Sequence, residues 1–232
     1  MDMTPLEARQ VLVDAGRLLE AHGQADFTNG HVSVRVPDRP NLFFMKPHSI
    51  GFGEITLDNI LTVDLDGVVV EGMGRRHSEV FIHTEIYRAR PDIASVMHSH
   101  PPHCVALSGT GETLRPISQP AAVFFEALPL YDGEIDLIRT PAMGQGVAEA
   151  LGQHYAVLMR NHGIAVGGRS VEEATILALM LEQAAMIQML AMGSAHTAPE
   201  FPPEKVRALQ KNLSRPDQHA VNFKYLLRRL DA

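Results

Sequence analysis

The chain has 232 residues, enough for one domain with a sizeable core, and its 45% apolar and 20% charged content is ordinary for a globular protein. A net charge of -7 argues against a general affinity for nucleic acid or for an anionic membrane surface. The single cysteine, Cys104, excludes an intramolecular disulfide framework, and the opening stretch MDMTPLEARQ lacks the features of a secretory signal, so we expect a cytoplasmic protein.

The first predicted element is a helix that begins at Pro5. Thr4 can cap this helix, proline suits the first helical position, and Glu7 completes a capping box. Apolar residues then recur at helical spacing as far as Gly23, a typical C-terminal stop.

Two hairpins are predicted next. Residues 31–36 alternate with a period of two, which indicates a strand, and residues 41–45 can supply its partner. Between the apolar runs 61–65 and 68–70, the dipeptide Asp66-Gly67 predicts a tight turn, because it can supply two positive-φ positions.

Helices and strands alternate irregularly along the rest of the chain. Ser78 is predicted to cap a helix that runs to about Ala89. The further predicted elements are a strand at 93–97, a helix at 141–151, strands at 155–160 and 164–166, and a helix from a second capping box at Ser170 to Met192. This order, with its several hairpins, predicts a mostly antiparallel sheet with packed helices in a single domain, 1–232, in which 193–232 form a weakly helical tail.

The long predicted helix is apolar but is not expected to span a membrane. It contains Glu182, Gln183 and Gln188, which favour a buried helix of the core.

The stretch SVMHSHPPH, residues 95–103, contains three histidines within six residues: His98, His100 and His103. His98 and His100 are two residues apart on a predicted strand, so they project to the same face, and Pro101-Pro102 place them at the strand end. Imidazoles spaced about 6–7 Å along a strand can chelate one metal ion, and His162, at a predicted strand-to-strand turn, would complete an open three-histidine site. The alternative is a pair of partly exposed histidines at a strand end.

Glu79 is the carboxylate predicted to belong to this site. It is expected in the first turn of a helix, where the helix dipole stabilises a negative charge, although an acidic residue there is also common without any function. A competing interpretation pairs Glu79 with His83, four residues later on the same helix face. That pairing is weaker, because His83 falls between Ile82 and Ile86 and could be a core residue.

Taken in order and spacing, these motifs resemble the class II aldolase/adducin family, which includes fuculose-phosphate aldolase and ribulose-phosphate 4-epimerase. The resemblance extends from about Leu6 to Met192 and rests on Gly30-x-x-Ser33-x-Arg35, Lys46-Pro47, Ser78-Glu79 with His83 and Tyr87, Arg90-Pro91-Asp92, His98-x-His100 and Asn161-His162-Gly163. It implies an α/β/α three-layer sandwich around a mostly antiparallel sheet, and a homotetramer with its sites at subunit interfaces.

The resemblance also implies a divalent ion on His98, His100 and His162, with Glu79 as a proton carrier. Zinc or manganese is expected, and histidine ligands suit iron and cobalt as well. The family has a histidine at position 83, which supports a structural role for His83.

Substrate contacts depart from the family pattern. Its sugar-phosphate members carry Gly-Asn-x-Ser, Thr-Pro-Ser/Thr-Gly and Ser-Ser-Glu, where this chain has imidazoles or a cationic neighbour. The residues expected to contact the substrate are His31, Lys46, His48, Ser49, His77 and Ser78. These donors suit one or more carboxylates on a flat ring, as in the family's decarboxylase branch, whose members act on hydroxy-aromatic dicarboxylates such as dihydroxyphthalate and on 3-oxo acids. The alternative is sequence drift in a loop.

The sequence therefore predicts a metal-dependent carbon-carbon lyase that decarboxylates a hydroxylated aromatic carboxylate or dicarboxylate, or a 3-oxo acid, through a metal-stabilised enolate or phenolate. Lys46 and His48 are expected to bind a second carboxylate, and His31 and His77 to orient the ring or relay protons. Two alternatives are an aldolase or epimerase of a small, phosphorylated hydroxy-ketone, and a non-catalytic scaffold as in the adducins. The scaffold is disfavoured because the four candidate metal-site residues are all present.

Overall fold

One sheet organises the chain in the computed structural model, which describes residues 3–133, 136–196 and 198–231. Its strands are β1 (His31–Val36), β2 (Arg39–Met45), β3 (Leu61–Asp64), β4 (Val69–Glu71), β5 (Ser95–Ser99), β6 (Leu130–Tyr131), β7 (Ala156–Met159) and β8 (Gly163–Gly168). Their order across the sheet is β4-β3-β2-β1-β5-β8-β7-β6. Every neighbouring pair is antiparallel except β6 with β7, so the prediction of a mostly antiparallel sheet is confirmed.

Helices cover both faces of this sheet. They are α1 (Pro5–Ala21), α2 (Val80–Ala89), α3 (Pro102–Thr110), α4 (Gln119–Val123), α5 (Pro141–Leu151), α6 (Val171–Met192), α7 (Pro203–Leu213) and α8 (Pro216–Leu230). Because successive strand residues point to opposite faces, Val32 and Val34 of β1 pack in one core with α1 and α6, whereas Val96 of β5 packs in a second core with α2 and α5. The result is the expected α/β/α sandwich.

Helix starts follow the predicted capping chemistry in part. At α1 the capping box is complete, since the Thr4 hydroxyl accepts from the Glu7 amide at 3.3 Å and the Glu7 carboxylate accepts from the Thr4 amide at 2.7 Å. At α6 the Ser170 hydroxyl accepts from the Glu173 amide at 3.1 Å. The Glu173 carboxylate, however, accepts from the backbone amide and guanidinium of Arg169, so the second capping box is only half formed.

The prediction that Ser78 caps α2 is wrong. The helix begins at Val80, its N-cap is Glu79, and no side chain caps it. Glu79 consequently lies just before the helix rather than in its first turn, and its carboxylate is free to face the sheet.

The second hairpin forms as predicted, but with a different turn. Only Gly67 has a positive φ, 80°, and its amide donates to the carbonyl of Asp64 at 3.0 Å. The Asp64 carboxylate accepts from the amides of Asp66 and Val68, both at 2.9 Å, and stabilises the four-residue connection between β3 and β4.

The C-terminal segment contributes to the core. The expected weakly helical tail forms two helices, α7 and α8, which bury Val206 and Phe223. Phe223 packs in the core beside α1 and α6. Helix α6 is apolar and long enough to cross a membrane by composition alone. Its Leu177 and Leu181 are buried in the same core, which agrees with the predicted core helix.

Candidate metal centre

Four side chains from separate parts of the chain converge at one end of the sheet. Glu79 lies at the N-cap of α2, His98 and His100 lie at the end of β5, and His162 lies in the turn before β8. One ligand atom from each lies within 4.8 Å of the others, so this group could hold a metal ion. The structure therefore brings together all four residues that were predicted to form the site.

Strand pairing explains why the histidines meet. Strands β5 and β8 are antiparallel, with Ser99 opposite Ile164, so His100, which follows β5, lies beside the residues that precede β8. The approach is close at Gly163, where a Cβ atom would lie 2.3 Å from the carbonyl oxygen of Ser99. Glycine is required there because any side chain would push the turn that carries His162 away from β5.

Neighbouring acceptors orient two of the imidazoles. The Nδ1 atom of His98 donates to the carbonyl of Ile164 at 2.9 Å, and the Nδ1 atom of His100 donates to the carboxylate of Asp26 at 3.1 Å. In the neutral form of each ring the Nε2 atom carries a lone pair, and the two Nε2 atoms face each other at 3.0 Å. Two lone pairs at this distance repel each other unless a cation lies between them. At metal sites, a hydrogen bond from the other ring nitrogen commonly fixes the tautomer that directs the lone pair at the metal ion.

Glu79 completes the donor set. Its Oε1 atom accepts a hydrogen bond from the Ile138 amide at 2.9 Å and lies 3.5 Å from Nε2 of His162, while Oε2 lies 3.7 Å from Nε2 of His98. Burial raises the pKa of this carboxyl group, and the Ile138 amide opposes that rise. Nε2 of His162 is buried and has no hydrogen-bond partner among the described residues. Three imidazoles and a carboxylate fit zinc, manganese, iron or cobalt.

A cavity of about 690 Å³ opens onto this centre. Four of the predicted substrate residues line it, namely His31, His48, His77 and Ser78. The three imidazole rings form a row that starts at His98 of the candidate centre. The centroid separations are 5.0 Å from His98 to His31, 4.7 Å from His31 to His77 and 5.2 Å from His77 to His48. The cavity therefore presents a row of imidazoles on one side.

Two predicted substrate residues, Lys46 and Ser49, do not line the cavity. The ammonium group of Lys46 is buried behind His77, 3.1 Å from its Nε2 atom, and donates to the carbonyls of Thr28 and Ile50. Burial lowers the pKa of Lys46 to about 8. Lys46 therefore contacts the ring of His77 rather than the cavity, and Ser49 is exposed on the neighbouring loop.

His83 lies in a buried chain of hydrogen bonds behind the cavity. Its Nε2 atom lies 2.5 Å from Nδ1 of His31, its Nδ1 atom lies 2.6 Å from the Ser33 hydroxyl, and that hydroxyl lies 2.7 Å from the Tyr87 hydroxyl. Both ring nitrogens of His83 are thus used, and the alternative metal pair with Glu79 does not form. The chain orients His31, whose Nε2 atom lies 3.9 Å from Glu79.

Two contacts of the site had no signal in the sequence. Asp26 is 74 positions from His100, and Ile138 is 59 positions from Glu79. Neither residue belongs to a motif, and only the folded chain shows which histidine or carboxylate it holds.

The buried histidines predict an acid-sensitive fold. Burial lowers the pKa of His77 and of His83 to about 3, from an ordinary value of 6.5, so the folded chain keeps both rings neutral where the unfolded chain protonates them. These two rings therefore leave the free energy of unfolding unchanged above pH 6.5. As the pH falls from 6.5 towards 3, each of them lowers that free energy by about 1.4 kcal/mol per pH unit. Urea unfolding of metal-free protein at pH 7 and at pH 5 measures this loss.

The matched variants are His83→Gln and His196→Gln, because His196 is exposed. We expect a shallower pH dependence only in His83→Gln. An equal pH dependence in the wild type and both variants would contradict the assignment of a neutral buried ring.

Known proteins resemble this chain in sequence and in fold. Residues 10–189 match the family described as Class II Aldolase and Adducin N-terminal domain. A 3,4-dihydroxyphthalate decarboxylase from Arthrobacter keyseri is 31% identical over 206 residues, 83% of each chain. Decarboxylase NovR from Streptomyces niveus is 32% identical over 186 residues, which cover 79% of this chain and 68% of the relative. The structure of an aldolase II superfamily protein from Pseudomonas syringae is 28% identical and has a TM-score of 0.90, covering 100% of this chain and 94% of that chain.

Proposed function

Because the chain belongs to the class II aldolase and adducin family, we propose that it is a divalent-metal-dependent decarboxylase of a hydroxylated aromatic carboxylate or dicarboxylate, or of a 3-oxo acid. The observation that carries the proposal is the convergence of Glu79, His98, His100 and His162 at one end of a cavity lined by further imidazoles. Two relatives are named as decarboxylases, one of them of dihydroxyphthalate, which supports a carbon-carbon lyase of this class.

The metal-holding residues are proposed to be His98, His100 and His162, with Glu79 beside them. The donor set fits a zinc or manganese ion, and iron and cobalt fit it as well. When bound, such an ion supplies Lewis acidity to a substrate oxygen.

Glu79 is proposed to carry the proton that the reaction needs. The bond between the substrate carbon and its carboxylate breaks, the electron pair stays on the carbon, and CO₂ leaves. The carboxyl group of Glu79 then donates a proton to that carbon. Burial raises the pKa of Glu79, which is the direction that a proton-donating carboxyl group requires, and the Ile138 amide holds one oxygen while Oε2 faces His31 and His98.

The imidazole row is proposed to orient the substrate. His31 and His77 line the cavity between the metal centre and His48, and they are held from behind by His83 and Lys46 respectively. Ring nitrogens that are fixed by partners in this way can bind a carboxylate with little loss of side-chain entropy. We further propose that the enzyme is cytoplasmic and assembles as a homotetramer with its sites at subunit interfaces.

The test is CO₂ release by the metal-reconstituted enzyme from a panel of hydroxylated aromatic acids and 3-oxo acids. We expect turnover of at least one hydroxy-aromatic acid, lost on treatment with a chelator and restored by zinc or manganese. Aldol cleavage or epimerisation of a hydroxy-ketone phosphate, inhibited by free phosphate and without CO₂ release, would establish the alternative activity instead.

A further inference from the structure

A second cleft, with a volume of about 670 Å³, lies next to the metal cavity and is lined by Arg75, Arg76 and Arg139. We propose that this arginine cleft binds an anionic group at the end of the substrate opposite to the metal centre. The identity of the substrate as a carboxylic acid rests on the proposed function, whereas the cleft and its charge do not. The group that fits the cleft best in that setting is a second carboxylate.

The charge of the cleft is the first argument. Three guanidinium groups line it, and no carboxylate does among the described residues, although the whole chain has a net charge of -7. Among the described residues the acid that pairs with Arg139 is Asp136, at 3.7 Å on the exposed surface, and a surface pair of this kind is weak. A concave surface that concentrates positive charge in an acidic protein selects an anionic ligand.

One of the arginines is held in place by the backbone. The Nε atom of Arg76 donates to the carbonyl of Gly67 at 3.0 Å, and its Nη1 atom donates to the carbonyl of His77 at 2.9 Å. Its guanidinium also lies 5.4 Å from the ring centroid of Phe81. The planar group is therefore oriented before a ligand arrives, and its Nη2 atom remains available to donate a charge-assisted hydrogen bond to an anionic ligand.

Continuity with the metal cavity is the second argument. His48 and Ser78 line both spaces, so the cleft begins where the row of imidazoles ends. The far end of a ring that is anchored beside His98 and lies along His31 and His77 approaches His48 and Ser78, which also line the arginine cleft. An anionic substituent at that far end reaches the cleft, whereas one next to the metal-binding groups does not.

The sequence suggested that Lys46 binds the second carboxylate, and the arginine cleft is the better candidate for this contact. The donors of Lys46 are directed to backbone carbonyls and to His77, so this ammonium group does not reach the cavity. Arg75 and Arg139 are exposed at the cleft, and together with Arg76 they are the cations there that a second carboxylate can meet.

Three ligands test the proposal with the zinc-loaded protein by calorimetric titration. Salicylate has a hydroxyl group with an adjacent carboxylate, 5-carboxysalicylate adds a carboxylate para to the hydroxyl, and 3-hydroxyphthalate adds one beside the first. We expect 5-carboxysalicylate to bind at least tenfold more tightly than salicylate, and the Arg75→Gln/Arg139→Gln variant to remove most of that advantage, since only Arg76 of the three cleft arginines is left. Affinity for the other two ligands should change by less than twofold, as should every affinity in the control Arg229→Gln, which alters an exposed arginine on α8.

Equal affinity of the wild type for salicylate and 5-carboxysalicylate would overturn the proposal, as would a loss that is equal for all three ligands in the double variant. Inorganic phosphate distinguishes the source of the anion. Competition by phosphate against 5-carboxysalicylate that disappears in the double variant supports an anion site open to phosphorylated substrates, and competition that persists there counts against the cleft.

These titrations need no turnover, so the two proposals fail separately. A protein that prefers 5-carboxysalicylate in an arginine-dependent way but releases CO₂ from no acid retains the cleft and loses the proposed decarboxylation. A protein that releases CO₂ with unchanged ligand preference in the double variant retains the activity and loses the cleft.

Discussion

Replacing His98 with alanine is expected to remove most of the bound metal and to lower turnover by about 10³-fold or more, since a metal ion contributes several kcal/mol to the stabilisation of developing charge. The side chain is fully buried, and the carbonyl of Ile164 fixes its Nδ1 atom, so its Nε2 atom is held in place as a ligand. Elemental analysis by mass spectrometry after dialysis gives the ions per chain. We expect one ion per chain in the wild type and a small fraction of that in His98→Ala and His162→Ala.

His103→Ala is the matched control, because this neighbouring histidine bonds to Glu182 at 2.6 Å and is not part of the candidate group of Glu79, His98, His100 and His162. Its metal content should equal that of the wild type. Asp26→Asn should give an intermediate result, about 10- to 100-fold weaker metal binding, because Asp26 orients His100 without belonging to the donor set itself. Undiminished metal in both His98→Ala and His162→Ala would refute the three-histidine centre.

Replacing Glu79 with glutamine is expected to lower the rate of CO₂ release by about 10² to 10⁴-fold, the usual contribution of a positioned proton donor. The amide oxygen of glutamine can still accept from the Ile138 amide, so the local structure should persist. Metal content should stay close to that of the wild type, because the three histidines remain. Stopped assays of CO₂ from the metal-loaded variant, together with elemental analysis, measure both quantities.

Glu85→Gln is the control on the same helix, since the Glu85 carboxylate bonds to Arg88 and Thr84 and faces away from the site. We expect near-normal turnover in this variant. If Glu79→Gln also turned over at a near-normal rate with its metal retained, another group would have to carry the proton.

Several elements were predictable because their causes are local. The Thr4 and Glu7 capping box, the alternation of 31–36 and the proline at position 141 act within a few residues, and the helices and strands begin where these patterns indicate. Helix α3 was missed because Pro101-Pro102 was interpreted only as the end of a strand. Pro102 also occupies the first turn of a helix, where a missing amide proton does no harm.

The position of Glu79 shows where local reasoning fails. Serine is a common N-cap residue, yet the chain uses Glu79 as the N-cap and leaves its carboxylate to the Ile138 amide. That choice depends on a residue 59 positions away. The candidate centre has its carboxylate held by this long-range contact, and no side-chain capping bond forms at the start of α2.

By itself the sequence determined the α/β class, the antiparallel hairpins and the histidines that form the candidate centre, since residue spacing and hydrogen-bonding chemistry carry this information. Only the tertiary structure decided that Asp26 orients His100 and that the ammonium group of Lys46 donates to backbone carbonyls. The same holds for Arg75 and Arg139, which line one cleft. The physical reason is that a side chain's role depends on which distant groups satisfy its donors and acceptors. Strand register and loop packing set those partners, and neither can be read from neighbours along the chain.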